Sequence, residues 1–89
     1  MKIQVKNIDK EYALVGYWER GYITYAEVER CIDEEGFYKG LLHGRKYYWE
    51  VRTEQGVVTT LETRKSEAIK KAKKYMKELN KKHIEEGWI

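Results

Sequence analysis

The stretch YYWEVRTEQGVVTTLETRKSEAIKKAKKYMKEL, residues 47–79, decides the fold. Its first half is rich in β-branched and aromatic residues with a Gly at 56, which reads as two strands joined by a hairpin. A three-residue loop, Glu54-Gln55-Gly56, would place Val51 opposite Thr59 and Trp49 opposite Leu61. Tyr47, Trp49, Val51, Val57, Thr59 and Leu61 would then share the core face, and Tyr48, Glu50, Arg52, Val58 and Thr60 the other. After residue 62 the period changes. Ala68, Ile69, Ala72, Tyr75, Met76, Leu79 and His83 recur at helical spacing. Thr63 or Ser66 is the expected N-cap, with Glu67 in the first turn. Gly87 is the expected stop, with Trp88 folding back on the last turn.

Upstream, the same strand chemistry continues. The sequence predicts strands over 11–19, 22–32, 37–42, 46–53 and 57–62, with a short strand over 2–6. Arg20-Gly21 marks a tight hairpin, Asp33-Glu34-Glu35-Gly36 a polar loop and His43-Gly44-Arg45 another turn. Tyr17-Trp18-Glu19 and Tyr48-Trp49-Glu50 form a faint internal echo. The expected architecture is α+β: a bent antiparallel sheet of about five strands packed against one C-terminal helix. The 89 residues make one domain, with sheet over 2–62, helix over 64–86 and a short apolar tail over 87–89. Trp49, Val51, Leu61, Ile69, Ala72, Met76 and Leu79 are the expected core.

Composition excludes several classes. The chain is 42% hydrophobic, which is too apolar for a disordered segment. No apolar run approaches the ~18 residues that span a bilayer, so no membrane association is expected. A single Cys cannot build a disulfide framework, and the first residues have no signal-peptide core, so a cytoplasmic location is expected.

Charge is unevenly placed. From Arg64 to His83, the nine bases Arg64, Lys65, Lys70, Lys71, Lys73, Lys74, Lys77, Lys81 and Lys82 face only Glu67 and Glu78, and Glu85 and Glu86 follow. Residues 1–63 carry nine basic and eleven acidic groups. A mildly acidic body thus bears one basic element, a polarity that attracts polyanions. Lys70, Lys74, Lys77 and Lys81 fall on the outer side of the helix.

Catalytic signals are sparse. Cys31 and His43 could meet on neighbouring strands, but no helix N-terminus or Gly-rich elbow presents the thiol. His83 falls on the apolar stripe. Cys31, His43 and His83 have no paired zinc spacing, and the Gly residues have neither P-loop nor dinucleotide spacing. No enzyme activity, cofactor or metal is expected. The aromatics say more: eight Tyr, three Trp and one Phe exceed what one small core holds. Interleaved with basic groups on a sheet, they make stacking platforms for bases or surfaces for proteins.

Residues 47–79 resemble the sheet-and-helix half of the arm-type, integrase N-terminal-like DNA-binding domains of tyrosine recombinases. Trp49, Val51, Arg52, Gly56, Leu61, Thr63, Lys65, Glu67 and Ala68 carry the resemblance. It implies a three-stranded antiparallel sheet followed by a helix, with DNA as the ligand. In that family the sheet is basic and enters the major groove; here Val57-Val58-Thr59-Thr60-Leu61-Glu62 carries no base. The compact, Lys-, Glu- and Tyr-rich chain also looks like small accessory proteins of phages and mobile elements, many of which inhibit host defence nucleases by binding them.

Two expectations follow. The first is a binding module for nucleic acid or a nucleoprotein. Lys70, Lys74, Lys77 and Lys81 would meet phosphates, and Arg20, Arg45 and Arg52 with some Tyr would add a second surface. The alternative is an inhibitor or adaptor that binds a nucleic-acid-processing host protein. Glu27, Glu29, Asp33, Glu34 and Glu35, with Tyr38 and Tyr48, would then face a basic groove. Self-association as a homodimer is open under either.

Overall fold

Five strands in simple sequence order form one antiparallel sheet, β1-β2-β3-β4-β5, in the computed structural model, which describes residues 2–88. The strands are β1 (Gln4–Asp9), β2 (Tyr12–Glu19), β3 (Tyr22–Ile32), β4 (Tyr47–Thr53) and β5 (Gly56–Thr59), and the helix α1 is Lys65–Glu85. The meander needs only local connections. The β2–β3 hairpin closes through Arg20-Gly21, where Gly21 takes the positive φ of 81° that the tight turn demands.

Alternation along each strand assigns the two faces. Ala13, Val15 and Tyr17 of β2, Tyr22, Thr24, Ala26 and Val28 of β3, and Trp49 and Val51 of β4 are all buried. Ala68, Ala72, Met76 and Leu79 of α1 pack against them as one core, with Ile3, Val5, Ile69 and Tyr75 at its margin. Small Ala residues on both sides let the helix approach the middle of the sheet closely. The helix shields one face only, so the sheet's second face remains open.

Several expectations are corrected. Residues 37–42 form turns, not a strand, and the fifth strand is the N-terminal β1. Phe37, Tyr38, Leu41 and Leu42 do not alternate, and the segment curls through a Leu42 N–H to Tyr38 carbonyl bond (2.8 Å). The β4–β5 register also differs by one residue: Val51 faces Val58, and Thr53 faces Gly56. The loop is two residues, because Gln55 N–H donates to Thr53 Oγ1 (3.1 Å) and Gly56 already pairs. Val58 and Thr60 therefore join Trp49 on the helix side, and Val57 and Thr59 turn to the open side. Thr60 is buried there, and its N–H and hydroxyl both donate to the Trp49 carbonyl (3.0 and 2.8 Å). Leu61 takes a positive φ of 58° where the chain leaves the sheet, and it is only half-buried.

Neither expected cap forms. Arg64 is the N-cap and makes no side-chain cap bond, while Thr63 Oγ1 accepts from Arg45 instead (2.8 Å). At the other end Trp88 does fold back, with its N–H on the His83 carbonyl (2.9 Å) and its ring stacked on His83 at 4.5 Å. Ile89, the last residue of the expected apolar tail, lies outside the described residues. The Tyr-Trp-Glu echo breaks in three dimensions: Trp18 is on the open face and Trp49 is in the core.

Candidate functional site

The open face of the sheet gathers an aromatic patch. Tyr12, Leu14 and Trp18 of β2, Ile23 and Tyr25 of β3 and Tyr48 of β4 share it by alternation. Trp18 and Tyr25 stack at 5.8 Å with 14° between their planes, and the Lys6 ammonium sits 4.1 Å from the Trp18 ring. Ile23 is 67% exposed and Tyr25 44%, so the patch is accessible. Gly16 lies within it because Thr24 and Tyr25 leave no room for a Cβ.

Beside the aromatics stands a carboxylate cluster. Glu29 and Glu50 are direct cross-strand partners, and Glu27 faces Arg52. Like charges in that position cost about 0.2–1 kcal/mol. Arg52 reaches Glu50 at 3.7 Å and Glu27 at 4.0 Å, while Glu29 makes no ion pair among the described residues. Tyr12 donates its hydroxyl to Glu27 (2.8 Å), and that bond to a carboxylate, with burial, pushes the phenol up to about 12. Cys31 is half-buried on the same face. Burial, and then the Glu50 charge, push its thiol up to about 11, the opposite of an activated nucleophile. Burial also raises the Tyr48 phenol, whose ring meets Tyr38 edge-on at 5.2 Å.

The expected acidic set divides. Glu27 and Glu29 lie on the open face, joined by Glu50, which alternation on β4 alone had already placed away from the core. Asp33, Glu34 and Glu35 follow β3 in the connecting loop. Asp33 accepts the Tyr38 N–H (3.0 Å) and so shapes that loop, and Glu34 and Glu35 are exposed.

The expected basic set is scattered. Lys70, Lys74, Lys77 and Lys81 are exposed on the outer side of α1, because Ala68, Ala72, Met76, Leu79 and His83 turn inward. The row runs about 16 Å along the helix axis. Lys70 is 3.4 Å from Glu67, while Lys74, Lys77 and Lys81 make no ion pair among the described residues. Arg20 sits in the β2–β3 turn, and Arg45 bonds Thr63 near the helix start. Arg52 lies across the sheet from the helix, between carboxylates. The open face is thus aromatic as expected, but its charge is acidic rather than basic. Two further lysines hold the fold: Lys65 donates to the carbonyls of Asp9 and Tyr12, and Lys71 pairs Glu62 at 3.0 Å.

Away from this face, His83 is buried between the Tyr22 hydroxyl (2.7 Å from Nδ1) and the Glu54 carboxylate (2.9 Å from Nε2). It ties the helix C-terminus to the β2–β3 and β4–β5 turns, a contact that helical spacing alone does not reveal. Among the described residues no three His, Cys, Asp or Glu side chains form a metal-binding group, and no helix is long and apolar enough to cross a membrane. No family model, curated protein or solved structure matches this chain.

Proposed function

We propose that this chain is a non-enzymatic binding module that recognises a basic protein surface through the open face of its sheet. The observation that carries this reading is the Glu29–Glu50 cross-strand pair beside the Trp18–Tyr25 stack. A free sheet gains nothing from two carboxylates set against each other; a cationic partner converts that repulsion into attraction. Exposed Tyr25 and Ile23, with the half-buried Trp18, supply the apolar anchor that charge alone lacks. A groove that ordinarily holds nucleic acid is basic, so a nucleic-acid-processing protein is the partner class that fits, and occupying its groove would inhibit it.

A second reading rests on the Lys row of α1. Lys74, Lys77 and Lys81 have no acidic partner among the described residues, and a basic helix face can follow a phosphate backbone without reading sequence. This reading, with the arm-type resemblance behind it, makes the module a binder of nucleic acid or nucleoprotein. It does not use the open face.

One experiment separates the two. Binding of the purified chain to duplex DNA and single-stranded RNA is measured by anisotropy across salt, beside capture of proteins from nuclease-treated extract. The comparison uses a Trp18→Ala/Glu29→Gln variant and a variant with Gln at positions 70, 74, 77 and 81. The protein reading expects no nucleic-acid binding at physiological salt, and a captured nucleic-acid-processing protein lost only in the first variant. Steeply salt-dependent nucleic-acid binding, lost only in the second, overturns it in favour of the Lys row.

A further inference from the structure

The sheet has two edges, and only one is defended. β1 carries Lys6 and Asp9, and its register breaks between Asn7 and Asp9, devices that discourage strand addition. β5 is Gly-Val-Val-Thr: uncharged, β-branched and paired to β4 without a bulge. Val57 is 52% exposed and Val58 36%.

Hydrogen-bond parity identifies which groups the edge offers. The two-residue turn makes Thr53 and Gly56 a bonded pair, so Val58 and Thr60 also bond toward β4. The Thr60 N–H to Trp49 carbonyl bond (3.0 Å) fits that parity. The N–H and C=O groups of Val57 and Thr59 therefore point outward. β5 is the edge strand and pairs with β4 alone, and among the described residues no turn or loop backbone bond reaches these four groups.

We propose that this edge pairs with itself: β5 of two copies joins antiparallel about a two-fold axis through Val58. The four free groups are self-complementary under that operation. Val57 lies opposite Thr59 of the second copy, and each such pair exchanges two N–H···O=C bonds, so every outward group of both strands is satisfied. Val58 meets its own symmetry mate as a non-bonded pair, where Cα atoms lie about 4.5 Å apart. The groove of about 440 Å³ between β5 and α1, lined by Val58, Tyr75 and Leu79, flanks the axis in both copies. Its wall carries one carboxylate, Glu78, and one ammonium, Lys82, so two copies meet there without net repulsion. A second copy brings its own outward ladder in the matching parity and sets Val58 against Val58 at the axis. The open sheet face stays free in the ten-stranded assembly.

The test uses the full chain. Sedimentation equilibrium from micromolar to millimolar concentration compares the parent chain with Thr59→Pro, which removes an outward N–H and no N–H that bonds β4. The expected result is a monomer–dimer equilibrium that Thr59→Pro weakens about tenfold or more, with two of the four bonds gone. In a Cys31→Ala background, Val58→Cys should form a disulfide dimer under mild oxidation, and Lys74→Cys should not. A parent chain that stays monomeric throughout overturns the proposal, even if a foreign peptide binds the edge. So does a dimer that fails to cross-link through position 58. The Trp18, Glu29 and Lys-row variants change neither result, so this proposal and the proposed function fail separately.

Discussion

Replacing Gly16 by Ala tests whether packing or propensity governs the middle of β2. By propensity alone the change should help, since Gly inside a strand costs roughly 0.5–1 kcal/mol relative to Ala. The structure reverses the sign. A Cβ at position 16 would stand 2.2 Å from the Thr24 carbonyl oxygen, 2.5 Å from the Tyr25 Cα and 2.7 Å from the Tyr25 Cβ. Two of the three obstacles are backbone, so β3 itself must move away. Overpacking of this kind costs about 1–3 kcal/mol or more. Less the propensity gain, a net loss of about 1–2 kcal/mol remains, and Tm falls by roughly 5–15 °C in a chain of this size. Thermal melting by circular dichroism gives the Tm, and urea unfolding followed by tryptophan fluorescence gives the free energy. Because Trp18 stacks on Tyr25, the native emission should shift as well. A Gly16→Ala variant as stable as the parent, or more stable, would refute the claimed closeness of β2 and β3.

Other outcomes follow from the same packing and charge. Met76 is fully buried in the core, so Met76→Ala should cost about 2–5 kcal/mol by urea unfolding; a loss well below that range would mean the helix packs loosely. Glu29→Gln should raise stability by a few tenths of a kcal/mol at low salt, an advantage that added salt erases. The same change should weaken partner capture, and a destabilised Glu29→Gln variant would contradict the repulsion argued for Glu29 and Glu50. Cys31 has a folded thiol pushed up to about 11 against an ordinary 9.0, so the fold favours the neutral form. Its contribution to stability is complete below pH 9 and is lost as pH rises toward 11; the slope should vanish in Cys31→Ala. At about pH 8 the native thiol should hold about a hundredfold less thiolate than a free one, and alkylation as fast as a model thiol's would contradict this.

Local periodicity sufficed for much of this protein. Alternation in 11–32 and 46–53, the change to helical spacing after residue 62 and the Arg20-Gly21 turn lead to the α+β architecture. These signals are read within a few residues, and a meander needs no long-range choice of strand order. The same periodicity places Lys70, Lys74, Lys77 and Lys81 outside the helix, since the apolar stripe leaves them no other side. The structure decided turn geometry and strand register, which alternation alone leaves open. One residue of turn length moved Val58 and Thr60 to the helix side, because a strand's side chains alternate and a single step reverses them all. The 37–42 segment lost its strand to local turns, and β1 completed the sheet instead. Alternation puts Glu29 and Glu50 on the open side of their own strands, but only the β3–β4 register sets them directly opposite each other. Composition can count carboxylates; only the ladder brings two of them face to face.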